Sequence, residues 1–161
     1  MDYEEALEYI HGTLRFGSKL GLKNIIELLN RLGNPQNKFS SVHVAGTNGK
    51  GSVTSMITHV LYQAGYKVGM FTSPYLENFT ERIRVNLNEI DEDDLVEITQ
   101  KVKEKVDDMI KEGFNHPTEF EIVTAIGFTY FAEVEVDVAV VEVGLGGRFD
   151  ATNVLKPILS V

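Results

Sequence analysis

Cysteine is absent from the 161 residues, which excludes disulfides and thiolate metal sites. The four histidines, His11, His43, His59 and His116, stand at no ligand spacing such as H-x-x-x-H, so structural zinc is not expected. Long apolar runs are missing as well: none approaches the roughly 18 residues of a membrane span. The stretch MDYEEALEYIHG is acidic where a signal peptide is basic and then greasy, and the expected compartment is the cytoplasm. Positive charge is scarce, with 15 Lys and Arg against 24 Asp and Glu and a net charge of -9. That balance argues against a general affinity for nucleic acid or an anionic membrane, so an anion has to be held by local donors and the expected partners are small molecules. Internal repeats and low-complexity stretches are missing too, and the four prolines fall between periodic segments.

What is present fits one folded domain. Hydrophobic residues make up 43% and charged residues 24%, close to the averages of globular proteins. At this length roughly 68–70% of the unfolded chain's surface can be buried. The periodicity alternates helix and strand. LKNIIELLNRLG predicts a helix stopped at Gly33 and Asn34. SSVHVAG reads as a strand, and SVTSMITHVLYQAG as a helix with a stripe of Val53, Met56, Ile57, Val60, Leu61 and Ala64. YKVGMF then completes a βαβ unit with a parallel partner. RIRVNL alternates as a strand exposed on one face. DEDDLVEITQKVKEKVDDMIKEG predicts a surface helix capped by Asp91, striped with Leu95, Ile98, Val102, Val106 and Met109, and ended by Gly113. TEFEIVTAIGFTYFAEVEV is apolar enough for a helix packed against the sheet, and DVAVVEV is the near-continuous run of a buried parallel strand. ILSV reads as another core strand. The expected class is α/β, a mostly parallel sheet with helices on both faces.

The segment HVAGTNGKGSV, residues 43–53, carries the chemistry. It fails the strict G-x-x-x-x-G-K-[ST] pattern, because Val44 stands five before Gly49 and Gly51 separates Lys50 from Ser52. The physics of a phosphate cradle survives. Amides from Thr47 through Asn48, Gly49, Lys50 and Gly51 to Ser52 can point inward, and the helix that follows offers its positive end. Lys50 suits β- and γ-phosphate oxygens, and Ser52 a phosphate or Mg²⁺.

Other residues add to the site. Ser73, before Pro74, leaves its hydroxyl free at the C-terminal end of the second strand, where open α/β sheets bind ligands. Glu142 interrupts the Val run, and a buried carboxylate there is costly unless it meets a cation; a strand with one wet face would carry the same pattern. Arg82 and Arg84, two apart on a strand, leave one face together and suit carboxylates or phosphates, as a solvated edge strand also would. GLGG lacks the third glycine of a dinucleotide fingerprint, since Phe149 stands there and no helix pattern follows, so NAD binding is rejected.

The string AGTNGKGS resembles the P-loop variant of the muramyl ligase superfamily, and the chain looks like folylpolyglutamate synthase/dihydrofolate synthase. FTSPYLENFTERIRVN, TEFE and VEVGLGGRFDATN resemble that family's later signature blocks, in order. The resemblance implies a P-loop NTPase-like ATP-binding domain of the muramyl ligase central type and a ligase that adds L-glutamate to dihydropteroate or folates through an acyl phosphate. It assigns Ser73 and Glu142 to Mg²⁺, Lys50 to ATP, and Thr118, Glu119, Phe120, Glu121, Arg82, Arg84, Arg148, Asp150 and Ala151 to the substrate side. Asp150 would accept hydrogen bonds from a pterin. Leu20, Gly21 and Leu22 match a family loop that touches the pterin, on a pattern too common to weigh. It also implies that residues 1–161 are a single N-terminal ATP-binding domain, truncated at the C-terminus and poor at catalysis alone, from a monomer with no nucleic-acid or membrane partner. A muramyl-type peptide ligase would share the cradle, and a non-catalytic nucleotide-binding module would bind ATP without folate. FTSPYLENFTERIRVN favours the folate ligase over both.

Overall fold

The computed structural model describes residues 1–17 and 21–161. Its elements are α1 (Tyr3–Gly12), α2 (Lys23–Arg31), β1 (Ser40–Val44), α3 (Lys50–Gln63), β2 (Val68–Phe71), β3 (Ile83–Val85), β4 (Asn88–Glu89), α4 (Glu92–Lys111), α5 (Glu119–Glu133), β5 (Val138–Glu142) and β6 (Leu159–Ser160). The sheet order is β4-β3-β2-β5-β1-β6. β2, β5, β1 and β6 run parallel, while β3 and β4 form an antiparallel extension. The Val run of β5 is buried along its whole length in the middle of the sheet.

Two faces follow from the strand period of two. Val42, Val44, Val68, Val138 and Val140 pack under α3 through Val53, Ile57 and Leu61. Phe71, Ile83, Ala139 and Val141 join the larger core on the other face, where α5 lies. α5 is buried from Glu121 to Thr129 and again at Phe131, because α1, α2 and α4 pack over its outer side. A helix apolar all round needs such a sandwiched place. Two glycines let it sit down: a Cβ on Gly127 would lie 2.8 Å from the Phe71 ring, and one on Gly69 would lie 2.9 Å from the Phe131 ring.

Some expectations change. On α3, Thr54 and Thr58 are the fully buried residues, while Met56, Val60 and Ala64 face outward. The contact face is centred on the threonines, and Thr58 satisfies its hydroxyl on the Thr54 carbonyl at 2.7 Å. β6 is not a core strand. It pairs with β1 at the sheet edge, and Ile158, Leu159 and Val161 are exposed. RIRVNL is two things: Arg82 closes a 3₁₀ turn (Phe79–Arg82), and only Ile83–Val85 is strand. Asn86 and Leu87, both at positive φ, then turn the chain into β4, with Asn86 Oδ1 accepting from Val68 N at 2.9 Å. α1, capped reciprocally by Asp2 and Glu5, had no counterpart in the sequence reading.

Candidate functional site

Register brings the chemistry to one edge. Val44 and Glu142, the last residues of β1 and β5, lie opposite each other, as do Phe71 of β2 and Val141 of β5. The loops that start at residues 45, 72 and 143 therefore open on the same C-terminal edge of the sheet, where α/β folds bind ligands.

The glycine loop leaves β1 with Gly46 at φ +154° and reaches α3 through Gly49 at φ +78°, conformations that L side chains rarely adopt. Ala45 to Gly49 are exposed, as are Gly51 and Ser52 in the first turn of α3. The Lys50 Nζ donates to the Gly46 carbonyl at 3.0 Å, so the lysine curls across the loop it belongs to. Gly46, Thr47 and Lys50 form one wall of a cavity of about 430 Å³, and Val143, Gly144, Leu145 and Gly146 form the other. That volume falls in the range of small-molecule pockets.

Glu142 is 5% exposed and accepts the Ser73 backbone N–H at 3.1 Å. Burial pushes its carboxyl up, against the weaker downward pulls of that bond and of the Lys50 charge. A carboxylate so placed favours a cation. A Cβ on Gly51 would stand 3.9 Å from both Glu142 oxygens, so the glycine in the first turn of α3 puts no side chain against the carboxylate. Among the described residues no group of three or more His, Asp or Glu gathers into a protein-only metal cage. A hard cation that keeps waters and takes phosphate oxygens needs only one or two protein oxygens, and Glu142 with Ser73 can supply them.

The substrate-side residues divide. Arg82 is buried beside Tyr75 and Phe79, with its guanidinium carbon 5.1 and 5.6 Å from their rings, and its Nε has no hydrogen-bond partner. Desolvation holds its pKa down, opposed by the charge of Glu119. Arg84 instead pairs with Glu89 at 3.4 Å on the β3–β4 hairpin, so the two arginines have different partners. Thr118 and Glu121 form a capping box on α5: Glu121 N donates to Thr118 Oγ1 at 3.3 Å, and Thr118 N to Glu121 Oε2 at 2.8 Å. Glu119 lies 3.4 Å from His11 Nδ1. Phe120 sits under Gly144, where a Cβ would come within 2.5 Å of its Cζ. Arg148 is exposed and Ala151 is buried. Asp150 is 6% exposed; its Oδ1 accepts Leu145 N at 2.8 Å, and its Oδ2 accepts both Thr152 N at 3.0 Å and the Thr152 hydroxyl. Asp150 thus ties its own loop, and any pterin contact would have to share those oxygens. Leu20 lies outside the described residues; Gly21, at φ +117°, and Leu22 lead into α2.

Nothing in the sequence pattern gives His43 or Thr152 a functional role. The T-x-x-E spacing of TEFE was the readable sign that Thr118 and Glu121 bond each other.

Fold and loop define an α/β domain of the P-loop type. No protein-family model matches the chain. Individual relatives do. The dihydrofolate synthase/folylpolyglutamate synthase of Bacillus subtilis is 48% identical over 160 residues, 99% of this chain and 37% of the relative. The apo form of L. casei folylpolyglutamate synthase superposes with a TM-score of 0.94 at 42% identity, covering 99% of this chain and 39% of that one. A folylpolyglutamate synthase in complex with AMPPCP and folate gives 0.91 at 41% identity over the same shares. Over nearly all of its length the chain is thus similar to folylpolyglutamate synthases and dihydrofolate synthases, and it spans less than two fifths of the length of these relatives.

Proposed function

We propose that the protein works in an ATP-dependent ligase that joins L-glutamate to dihydropteroate or a folate through an acyl phosphate, with residues 1–161 as its ATP-binding domain. The observation that carries this reading is the approach of Gly51, at the end of the glycine loop, to the buried Glu142 carboxylate at one sheet edge. A relative of the same fold that binds AMPPCP and folate together supports the choice of substrates. A cytoplasmic monomer acting on small molecules is the setting that goes with it.

The amides of Thr47 to Ser52 and the start of α3 would hold the nucleotide phosphates. Lys50 would exchange the Gly46 carbonyl for phosphate oxygens as negative charge builds. Ser73 and Glu142 would hold a Mg²⁺ ion, whose part is to neutralise phosphate oxygens. A substrate carboxylate oxygen attacks the γ-phosphorus and ADP leaves. The glutamate amine then attacks the acyl carbon, phosphate leaves and the amine gives up a proton. Arg148 and the exposed Leu145 and Phe149 would border the second substrate.

Calorimetric titration with MgAMPPCP and then dihydropteroate, repeated on Lys50→Ala, tests this. Binding of both, with only the nucleotide lost in the variant, supports the ligase. Nucleotide binding with no response to dihydropteroate would sink the folate assignment and favour a nucleotide-binding module.

A further inference from the structure

His43 stands in the strand that carries the glycine loop, and the chemistry above leaves it unused. Val42 and Val44 face α3, so His43 faces the other side of the sheet, where it is 8% exposed. Its Nε2 lies 2.8 Å from Thr152 Oγ1. The hydroxyl of the fully buried Thr152 donates to Asp150 Oδ2, whose other oxygen, Oδ1, takes the Leu145 amide at 2.8 Å. A hydroxyl has one proton to give. Since that proton points to Asp150, Thr152 Oγ1 accepts from His43, and Nε2 carries the hydrogen. Both the neutral and the protonated ring can donate in this way, so the link does not depend on charge.

The chain His43–Thr152–Asp150–Leu145 therefore runs from β1, behind one wall of the 430 Å³ cavity, to the residue that lines the other. Val143 N donates to Val44 O at 2.9 Å and ties the foot of this segment to β1, but farther along its main-chain bonds are local: Asp150 N to Gly147 O, Asn153 N to Asp150 O, and Leu155 N to Thr152 O. Ala151 and Leu155 anchor it in the core, but apolar contact has no direction. Beyond Val143, the imidazole supplies the directed link from this segment to β1.

We infer that His43 is a positioning residue that holds the 144–152 loop against the glycine-loop strand and so fixes the gap in which nucleotide and second substrate meet. Its effect on ligands rests on the function proposed above, whereas the link itself does not.

The test uses His43→Phe, His43→Gln, Thr152→Val and Thr152→Ser, read by amide hydrogen exchange and by titration with MgAMPPCP and dihydropteroate. His43→Phe and Thr152→Val should each speed exchange of the Leu145 amide by about tenfold, the worth of one buried hydrogen bond. They should weaken dihydropteroate binding to the nucleotide-loaded protein similarly and leave MgAMPPCP alone within about twofold. His43→Gln and Thr152→Ser, which keep a donor and a hydroxyl, should restore both readings. Unchanged Leu145 exchange in His43→Phe and Thr152→Val overturns the inference, as does a Gln variant as impaired as Phe. Thr152→Val breaks the same link without altering β1, so a folding failure of His43→Phe leaves the test standing. If the wild type binds neither ligand, the proposed function fails, and the exchange readings still decide the link.

Discussion

The Ser73 amide donates to Glu142 Oε2 at 3.1 Å, joining the end of β2 to the end of β5 through a buried carboxylate. Glu142→Gln keeps an oxygen for that amide and removes the charge. Affinity for an ATP analogue should fall by about tenfold or more with Mg²⁺ present, as expected for a lost charged contact, and change little in EDTA. Equal losses in both titrations would remove Glu142 from the metal site.

Lys50 has its Nζ on the Gly46 carbonyl and lies at the start of α3. Replacing it with Ala removes one internal bond at an accessible position, so the melting temperature should shift by only a few degrees. Nucleotide affinity should drop by about 1.5–3 kcal/mol, the range for hydrogen bonds to charged groups. Wild-type affinity in a folded Lys50→Ala protein would overturn the cradle assignment.

Gly144 and Gly147 sit in one loop and should respond unequally to Ala. At Gly144 the added Cβ would meet Phe120 Cζ at 2.5 Å and Asp150 Oδ1 at 2.9 Å, and at Gly147 it would meet nothing within 4 Å. Chemical denaturation should show about 1–3 kcal/mol lost for Gly144→Ala and almost none for Gly147→Ala. Similar stabilities would mean that Phe120 does not fill the space under the loop.

Burial holds the His43 pKa below the usual histidine value, with Asp150 opposing more weakly. The native state then binds fewer protons at this site than the unfolded chain. The stability it contributes is complete above about pH 6.5, the unfolded histidine value, and is lost as pH falls from there through the lower folded value. Urea unfolding of the wild type should therefore decline more steeply than that of His43→Gln between about pH 7 and 5. Parallel curves would show that the ring is not desolvated.

The β5 run and the stripe of α4 were legible because each is a periodic pattern set by burial, and the strand–loop–helix around Lys50 because its glycines mark the loop, although half of the stripe read on α3 faces outward. Polar residues were harder to read. Besides the substrate roles expected of them, Thr118 and Glu121 cap α5, Asp150 binds its own loop and Arg84 pairs with Glu89, bonds that composition alone does not announce. A polar side chain in a glycine-rich or helix-start segment has the same composition whether it serves a ligand or the backbone, and only the fold decides. His43 was hidden for a related reason: its partner lies 109 residues away.

The two glycine contacts beneath α5 interlock. Phe71 of β2 enters at Gly127, while Phe131 of α5 enters at Gly69. The helix members are four residues apart, about 6 Å along the axis, and the strand members two apart, about 6.6 Å. The spacings match, so the pair acts like two dowels in two holes and blocks both sliding and turning of the helix. The start of α5, with Thr118 and Phe120, is thereby indexed to the end of β2 and to Ser73. Enlarging Gly69, inside β2 beneath the Phe131 ring, would be felt as misalignment at the edge where the loops meet.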